Sequence, residues 1–175
     1  MHSEKQRKMI ISSLAERLIF TQFHKQRNDF EILEMSKVID NKRWDVKILS
    51  GGTQYLIEVK IRHTPKKRYP TWTIQKDKYS FLVKESEVSG YTPTYINFHL
   101  DGCQFWNLSE TPAPEWGERL YPEDSQTGYD KLILKQSADL LSPDATQYNY
   151  AYDIEQIYDE AEKLYNDKYT KIKLK

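Results

Sequence analysis

Asp45, Glu58 and Lys60 have the residue types and the spacing for hydrolytic chemistry. Two adjacent carboxylates repel each other unless a cation lies between them or one takes up a proton. Oxygen ligands converging from two strands suit Mg²⁺ or Mn²⁺. A lysine beside them can hold an attacking water or steady charge developing on a phosphate.

Whether the three meet depends on the chain between them. Trp44 to Leu49 and Tyr55 to Ile61 are rich in strand formers, and Gly51-Gly52 supplies a two-residue turn that tolerates positive φ. With that turn, Ser50 faces Thr53, Leu49 faces Gln54, Lys47 faces Leu56 and Asp45 faces Glu58. Lys60, two residues on, projects from the same face. Trp44, Val46, Ile48, Tyr55, Ile57, Val59 and Ile61 fall on the other face as a core surface, and a slip of one residue would scramble both. The plainer alternative is a solvated sheet face on which Asp45, Glu58 and Lys60 form cross-strand ion pairs.

Asp45, a hairpin, then Glu58-Val59-Lys60 resembles the Asp…Glu-x-Lys signature of the PD-(D/E)XK nuclease superfamily, with its restriction-endonuclease-like fold. Trp44 stands where that signature often has proline. The resemblance covers roughly residues 8 to 108. It implies an α/β domain with a central mixed sheet flanked by helices, and metal-dependent phosphodiester hydrolysis.

The flanking elements are read with that in view. A helix is expected from about Ser3 to His24, a stretch without proline or glycine. Ile11, Leu14 and Leu18 form one apolar stripe, and Met9, Ile19, Phe20 and Phe23 a second. Glu16 falls inside the second stripe, where a buried, unpaired carboxylate is costly. The resemblance gives it a place, because the helix before the core sheet often supplies a glutamate to the metal site; a rim residue reaching solvent is the alternative. Phe30 to Lys37 reads as a strand, Val38-Ile39 as its continuation or the start of the next, and Asp40-Asn41-Lys42 as a turn. Asp40 rivals Asp45 as a ligand, but would lie about 17 Å farther along the strand.

After the hairpin, His63-Thr-Pro-Lys-Lys-Arg-Tyr-Pro reads as an exposed, semi-rigid basic loop. Lys66, Lys67 and Arg68 suit a phosphate backbone, and Tyr69 and Trp72 suit an unpaired base; a solvated loop is the other reading. Thr73 is expected to cap a helix from Ile74 to about Glu85. Gln75 and Tyr79 there have the Gln-x-x-x-Tyr spacing that follows the lysine motif in RecB-type members of the superfamily, one helical turn apart; a core role for Tyr79 is the alternative. Thr94 to Leu100, the turn Asp101-Gly102, and Cys103 to Leu108 form a second hairpin. Lys131 to Gln136 reads as a short strand, and Asp153 to Asn166 as an amphipathic helix that packs internally or on a partner. The tail from Lys168 to Lys175 is basic.

Composition bounds these readings. The 175 residues suit one domain, divided as a nuclease-like core over 1–110 and a C-terminal elaboration over 111–175 packed on it. Net charge is zero, yet Lys37 to Lys84 holds 12 Lys or Arg against Asp40, Asp45, Glu58 and Asp77, while acids outnumber bases from Asp101 to Tyr165. That polarity is expected of a chain with one face toward a polyanion, and ordinary surface charge is its alternative. One cysteine, Cys103, precludes an internal disulfide, and His24, His63 and His99 are scattered. No run has the length of a membrane span and the N-terminus is too polar for a signal peptide, so a cytoplasmic setting is expected. Leu-Ser-Gly-Gly-Thr is no phosphate loop, because a strand rather than a helix follows it.

The reading is then a Mg²⁺- or Mn²⁺-dependent nuclease acting on nucleic acid, foremost DNA. Asp45, Glu58 and the Val59 carbonyl would hold the ion, Lys60 would position or activate water, and Glu16 and Gln75 would assist. A non-catalytic nucleic-acid-binding module and a structural or interaction protein are the alternatives. A homodimer or a protein partner fits any of the three.

Overall fold

The computed structural model describes residues 3–38, 43–122 and 132–169. In chain order its elements are α1 (Glu4–Arg27), β1 (Glu31–Met35), β2 (Val46–Ser50), β3 (Thr53–Ile61), β4 (Thr71–Gln75), α2 (Lys76–Ser89), β5 (Thr92–His99), β6 (Gly102–Asn107), β7 (Gly117–Pro122), β8 (Leu132–Leu141), β9 (Thr146–Tyr148) and α3 (Ile154–Tyr169). Asp40, the rival ligand, lies outside the described residues, as do Ile39, Asn41, Lys42, Lys131 and the tail beyond Tyr169.

Six strands form a mixed sheet in the order β1-β2-β3-β5-β6-β9. β1, β2 and β3 run antiparallel, and β5 lies parallel to β3 on its far side, reached through β4 and α2. The β2–β3 register is the one counted from the sequence, with Ser50 opposite Thr53, Leu49 opposite Gln54 and Lys47 opposite Leu56. Gly51 and Gly52 have φ of +56° and +80°, the left-handed pair that a tight hairpin requires. α1 begins at a reciprocal cap, in which the Ser3 hydroxyl accepts from the Gln6 amide and the Gln6 side chain accepts from the Ser3 amide.

Each face of this sheet has its own core. Val46, Ile48, Ile57, Val59, Ile96 and Phe98 pack against α1 and α3. Leu56, Tyr95 and Trp106 pack on the other side with Trp72, Ile74 and Leu82. Trp44 belongs to this second core, not to the Val46 face where strict alternation puts it. The regular ladder starts only at Val46, and the Asp45 amide donates to the Ile57 carbonyl at 2.8 Å, so alternation fails at that step. On α1, Met9 also departs from its stripe and is 55% exposed.

A separate antiparallel sheet, β4-β8-β7, covers the second face alongside α2. Thr71 to Gln75 is therefore a strand, with Gln75 opposite Ser137, and the helix begins at Lys76 instead of Ile74. Trp72 and Ile74 alternate into the core, and pairing with the distant β8 satisfies their backbone. β8, expected to end at Gln136, runs on to Leu141. Segments beyond residue 110 thus contribute to both sheets, and α3 packs on α1. Among the described residues no helix is long and apolar enough to cross a membrane.

His99 on β5 is fully buried, its Nδ1 3.2 Å from the Thr64 carbonyl and its ring centroid 4.6 Å from that of Trp72. Burial pushes its pKa down from 6.5 to about 4. The unfolded chain therefore takes up a proton first as pH falls. The stabilising contribution is complete above about pH 6.5 and is lost toward about pH 4, amounting to about 3 kcal/mol. Denaturation of the parent and His99→Gln is expected to show the parent's advantage shrinking across that window; a constant difference would contradict it.

Candidate active site

The site forms where β2 begins and β3 nears its end. Asp45 precedes the first rung of the ladder, and its Oδ2 accepts the Val59 amide at 2.8 Å. From α1, Arg17 reaches Asp45 Oδ1 at 3.6 Å while donating to the Ser36 carbonyl and hydroxyl and to the Ser13 carbonyl. These contacts tie the helix to the mouth of the hairpin and fix the Asp45 carboxyl.

Glu58 is buried at 1% exposure. Lys60 Nζ lies 3.0 Å and Lys78 Nζ 2.9 Å from its Oε1. Its Oε2 is buried with no hydrogen-bond partner. Lys60 also donates to Glu16 Oε1 and to the Val59 carbonyl, each at 2.8 Å. One ammonium is thus caged by oxygens from α1, from the Glu58 side chain and from the β3 backbone.

The charges follow from this packing. Burial first, then the Glu58 and Glu16 charges, push Asp45 up to about 7. Burial also opposes ionisation of Glu58, but the Lys60 and Lys78 ammonium groups outweigh it and hold the carboxyl below its usual range. Burial opposes the Lys60 charge as well; Glu16, Glu58 and Asp45 outweigh it and hold the ammonium well above its ordinary range. Lys60 is therefore a fixed positive charge near neutral pH and not a proton acceptor.

Asp45, Glu58, Val59, Lys60 and Glu16 lie close together, although Asp45 stands just outside the β2–β3 ladder and does not pair with Glu58 in it. Gln75 lines the same cleft as Lys60 and Lys78, and its Oε1 is 3.5 Å from Lys135 Nζ. Tyr79 does not join them; its ring packs edge-on against Trp116 at 5.4 Å. With the helix starting at Lys76, Gln75 keeps extended backbone and the two are not a turn apart on one helix. Lys78 reaches Glu58 instead, from inside the same five-residue stretch.

The basic loop also differs from a fully exposed one. Lys66 is 4% exposed, and its Nζ donates to the Tyr148 carbonyl and to Asn149 Oδ1. It ties the loop to the segment after β9, leaving Lys67 and Arg68 exposed. Tyr69 is 48% exposed and Trp72 is buried on β4. Lys78, Arg17 and Arg62 had no distinguishing sequence signal, since each is one cation among many.

Among the described residues no three His, Cys, Asp or Glu side chains gather into a ready metal cluster. Even so, the donor set fits a hard divalent ion. Asp45, Glu58 and the Val59 carbonyl are oxygen donors, one Glu58 oxygen has no hydrogen bond, and neighbouring oxygens already cage a cation.

No protein-family model and no curated protein sequence matches this chain. Among solved structures, it is similar to Hjc, a Holliday junction resolvase from the archaeal hyperthermophile Archaeoglobus fulgidus. The likeness has a TM-score of 0.48 at 15% identity and covers 83% of this chain and 96% of that one. A likeness at that level carries no chemistry over to this chain.

Proposed function

We propose that this chain is a metal-dependent nuclease of the PD-(D/E)XK kind that hydrolyses phosphodiester bonds in DNA. The supporting observation is that Glu58, Glu16 and the Val59 carbonyl converge on one lysine ammonium near the end of β3, while the Asp45 carboxyl accepts the Val59 amide beside them. Asp45, Glu58 and the Val59 carbonyl would hold Mg²⁺ or Mn²⁺. When bound, that ion supplies positive charge for the phosphate oxygens and lowers the pKa of water. Lys60 keeps its proton, orients the attacking water and offsets charge on the phosphate. Glu16 restrains Lys60, and Gln75 offers a neutral hydrogen-bonding group beside it.

One observation favours a non-catalytic nucleic-acid-binding module instead: two lysines already compensate Glu58. Metal calorimetry separates the two readings. The nuclease reading expects Mn²⁺ binding by the parent and none by Asp45→Asn; no heat with the parent favours the module.

The exposed part of the loop makes a separate prediction. Lys67→Ala with Arg68→Ala is expected to weaken duplex DNA binding and flatten its log–log salt dependence by about 0.9 for each phosphate no longer neutralised. Fluorescence anisotropy across a salt series measures this, and an unchanged slope makes these two residues solvated surface. Lys66 is left in place because its ammonium is an internal tie.

A further inference from the structure

Two cavities, of about 570 and 630 Å³, meet at the end of β3, and Lys60 and Arg62 line both. One opens between the two sheets and is walled by Tyr69, Trp72, Tyr95 and Tyr121. The other lies against α1 and α3, with Arg7, Ser12, His63 and Tyr158 in its walls.

The cations of the first cavity are not equivalent. Arg119 donates twice to Asp139, at 2.8 and 2.9 Å. Lys60 and Lys78 face Glu58. Arg62 donates to Asn97 Oδ1 and to the Tyr95 hydroxyl, both at 3.1 Å and both neutral. Among the described residues no carboxylate pairs with Arg62, whose guanidinium carbon lies 5.6 Å from the Trp72 ring centroid, so an oriented cation without a carboxylate partner lines the cleft with Lys60. Such a group is suited to a phosphate.

The aromatic side chains supply a second feature. Tyr69, nearly half exposed, meets Trp72 edge-on at 5.4 Å and is held by it. Tyr121, across the cavity on β7, is partly exposed, with the Lys135 ammonium 6.0 Å from its ring centroid. Cavities of this size suit a group as large as a nucleotide. A base stacked and paired within a duplex keeps its faces covered, whereas an unpaired base can offer them to an exposed ring.

We propose that the cleft between the two sheets takes an unpaired polynucleotide strand, with Arg62 holding a phosphate beside the scissile one and Tyr69 and Tyr121 stacking on bases. A duplex meets the rim at Lys67 and Arg68 and reaches Lys60 only where its end is frayed or its strands are unpaired. Stacking on aromatic rings is tolerant of sequence, so the cleft reads strandedness more than base identity. The inference rests on the nuclease reading only in taking Lys60 as the cutting point.

The test is anisotropy in EDTA, where no cleavage occurs. The probes are short labelled oligothymidylate and oligouridylate and a blunt hairpin duplex. Tyr69→Ala with Tyr121→Ala is expected to weaken single-strand binding by roughly thirtyfold or more. The double phenylalanine variant should restore it, and duplex binding should hardly change. Arg62→Gln should lower the single-strand salt slope by about 0.7. Either sugar showing this pattern supports the cleft and identifies the strand it prefers. Single-strand binding that ignores the alanine pair, or a weakening equal for strand and duplex, overturns it. A protein that binds strands this way but cuts nothing keeps the cleft and loses the nuclease. One that cuts duplex with these tyrosines irrelevant does the reverse.

Discussion

Lys60→Ala is expected to slow DNA cleavage a few hundredfold while leaving metal and DNA binding largely in place. Its ammonium is fixed by Glu16, Glu58 and the Val59 carbonyl, and those carboxylates hold its proton on. A protonated lysine has no lone pair for a metal, so removing it costs no ligand. What disappears is positive charge beside the attacking water and the phosphate, commonly worth about 3–4 kcal/mol in a partly dry site. The fold should tolerate the change because Lys78 still compensates Glu58, at 2.9 Å. Single-turnover cleavage with metal calorimetry on the same variant measures it. A Lys60→Ala protein that cuts as fast as the parent would make the Glu-Val-Lys triplet incidental.

The second large effect is a split in sign between the two carboxylates. Asp45 has its carboxyl raised to about 7 by burial and by Glu58 and Glu16. Above about pH 3.8 the unfolded chain gives up this proton while the folded one keeps it. Stability is therefore lost as pH rises toward 7, and the full cost is present beyond that. Asp45→Asn cannot ionise. In EDTA near pH 8 it is expected to be more stable than the parent by on the order of 1–4 kcal/mol, and the gain should vanish near pH 4. Glu58 is the opposite case, held ionised by Lys60 and Lys78 against the cost of burial. Glu58→Gln leaves two ammonium groups facing an amide. Both lysines are roughly a third exposed and can turn to water. The expected loss is therefore about 1–3 kcal/mol, below that for a fully enclosed pair. Urea denaturation of the three proteins in EDTA decides it; shifts of the same sign would mean that the charges at the site are misassigned. Removing a functional carboxylate commonly stabilises a fold whose active site is strained by charge.

The hairpin that holds the site could be read in advance because its determinants are local. Gly51-Gly52 sets the turn, the turn sets the register, and alternation sets the faces. Glu58 and Lys60 share a face by that alternation and Glu16 comes from one long helix, whereas Asp45 lies one step outside the ladder. What could not be read depends on contacts far apart in the chain. Thr71 to Gln75 carries signals for a helix start and for a short strand alike, and only β8 decides between them. That choice moves the helix by two residues and exchanges Tyr79 for Lys78 at the site. Lys66 looks like its neighbours Lys67 and Arg68, yet its ammonium ends on a carbonyl 82 positions away. Trp44 leaves its expected face because the ladder begins one step after Asp45. β7 and β9 lie at sheet edges, where pairing partners rather than apolar periodicity define a strand.

Metal-dependent cleavage at Asp45 is tested most directly on a DNA panel of single strands, blunt duplexes, overhangs and branched junctions. The parent and Asp45→Asn are each assayed with Mg²⁺ or Mn²⁺ and with EDTA. The parent is expected to cut at least one substrate, EDTA to stop it, and Asp45→Asn to leave the same substrate intact. A parent that cuts nothing on the panel with either metal, or an Asp45→Asn protein that cuts at the parent's rate, would contradict the assignment of this site.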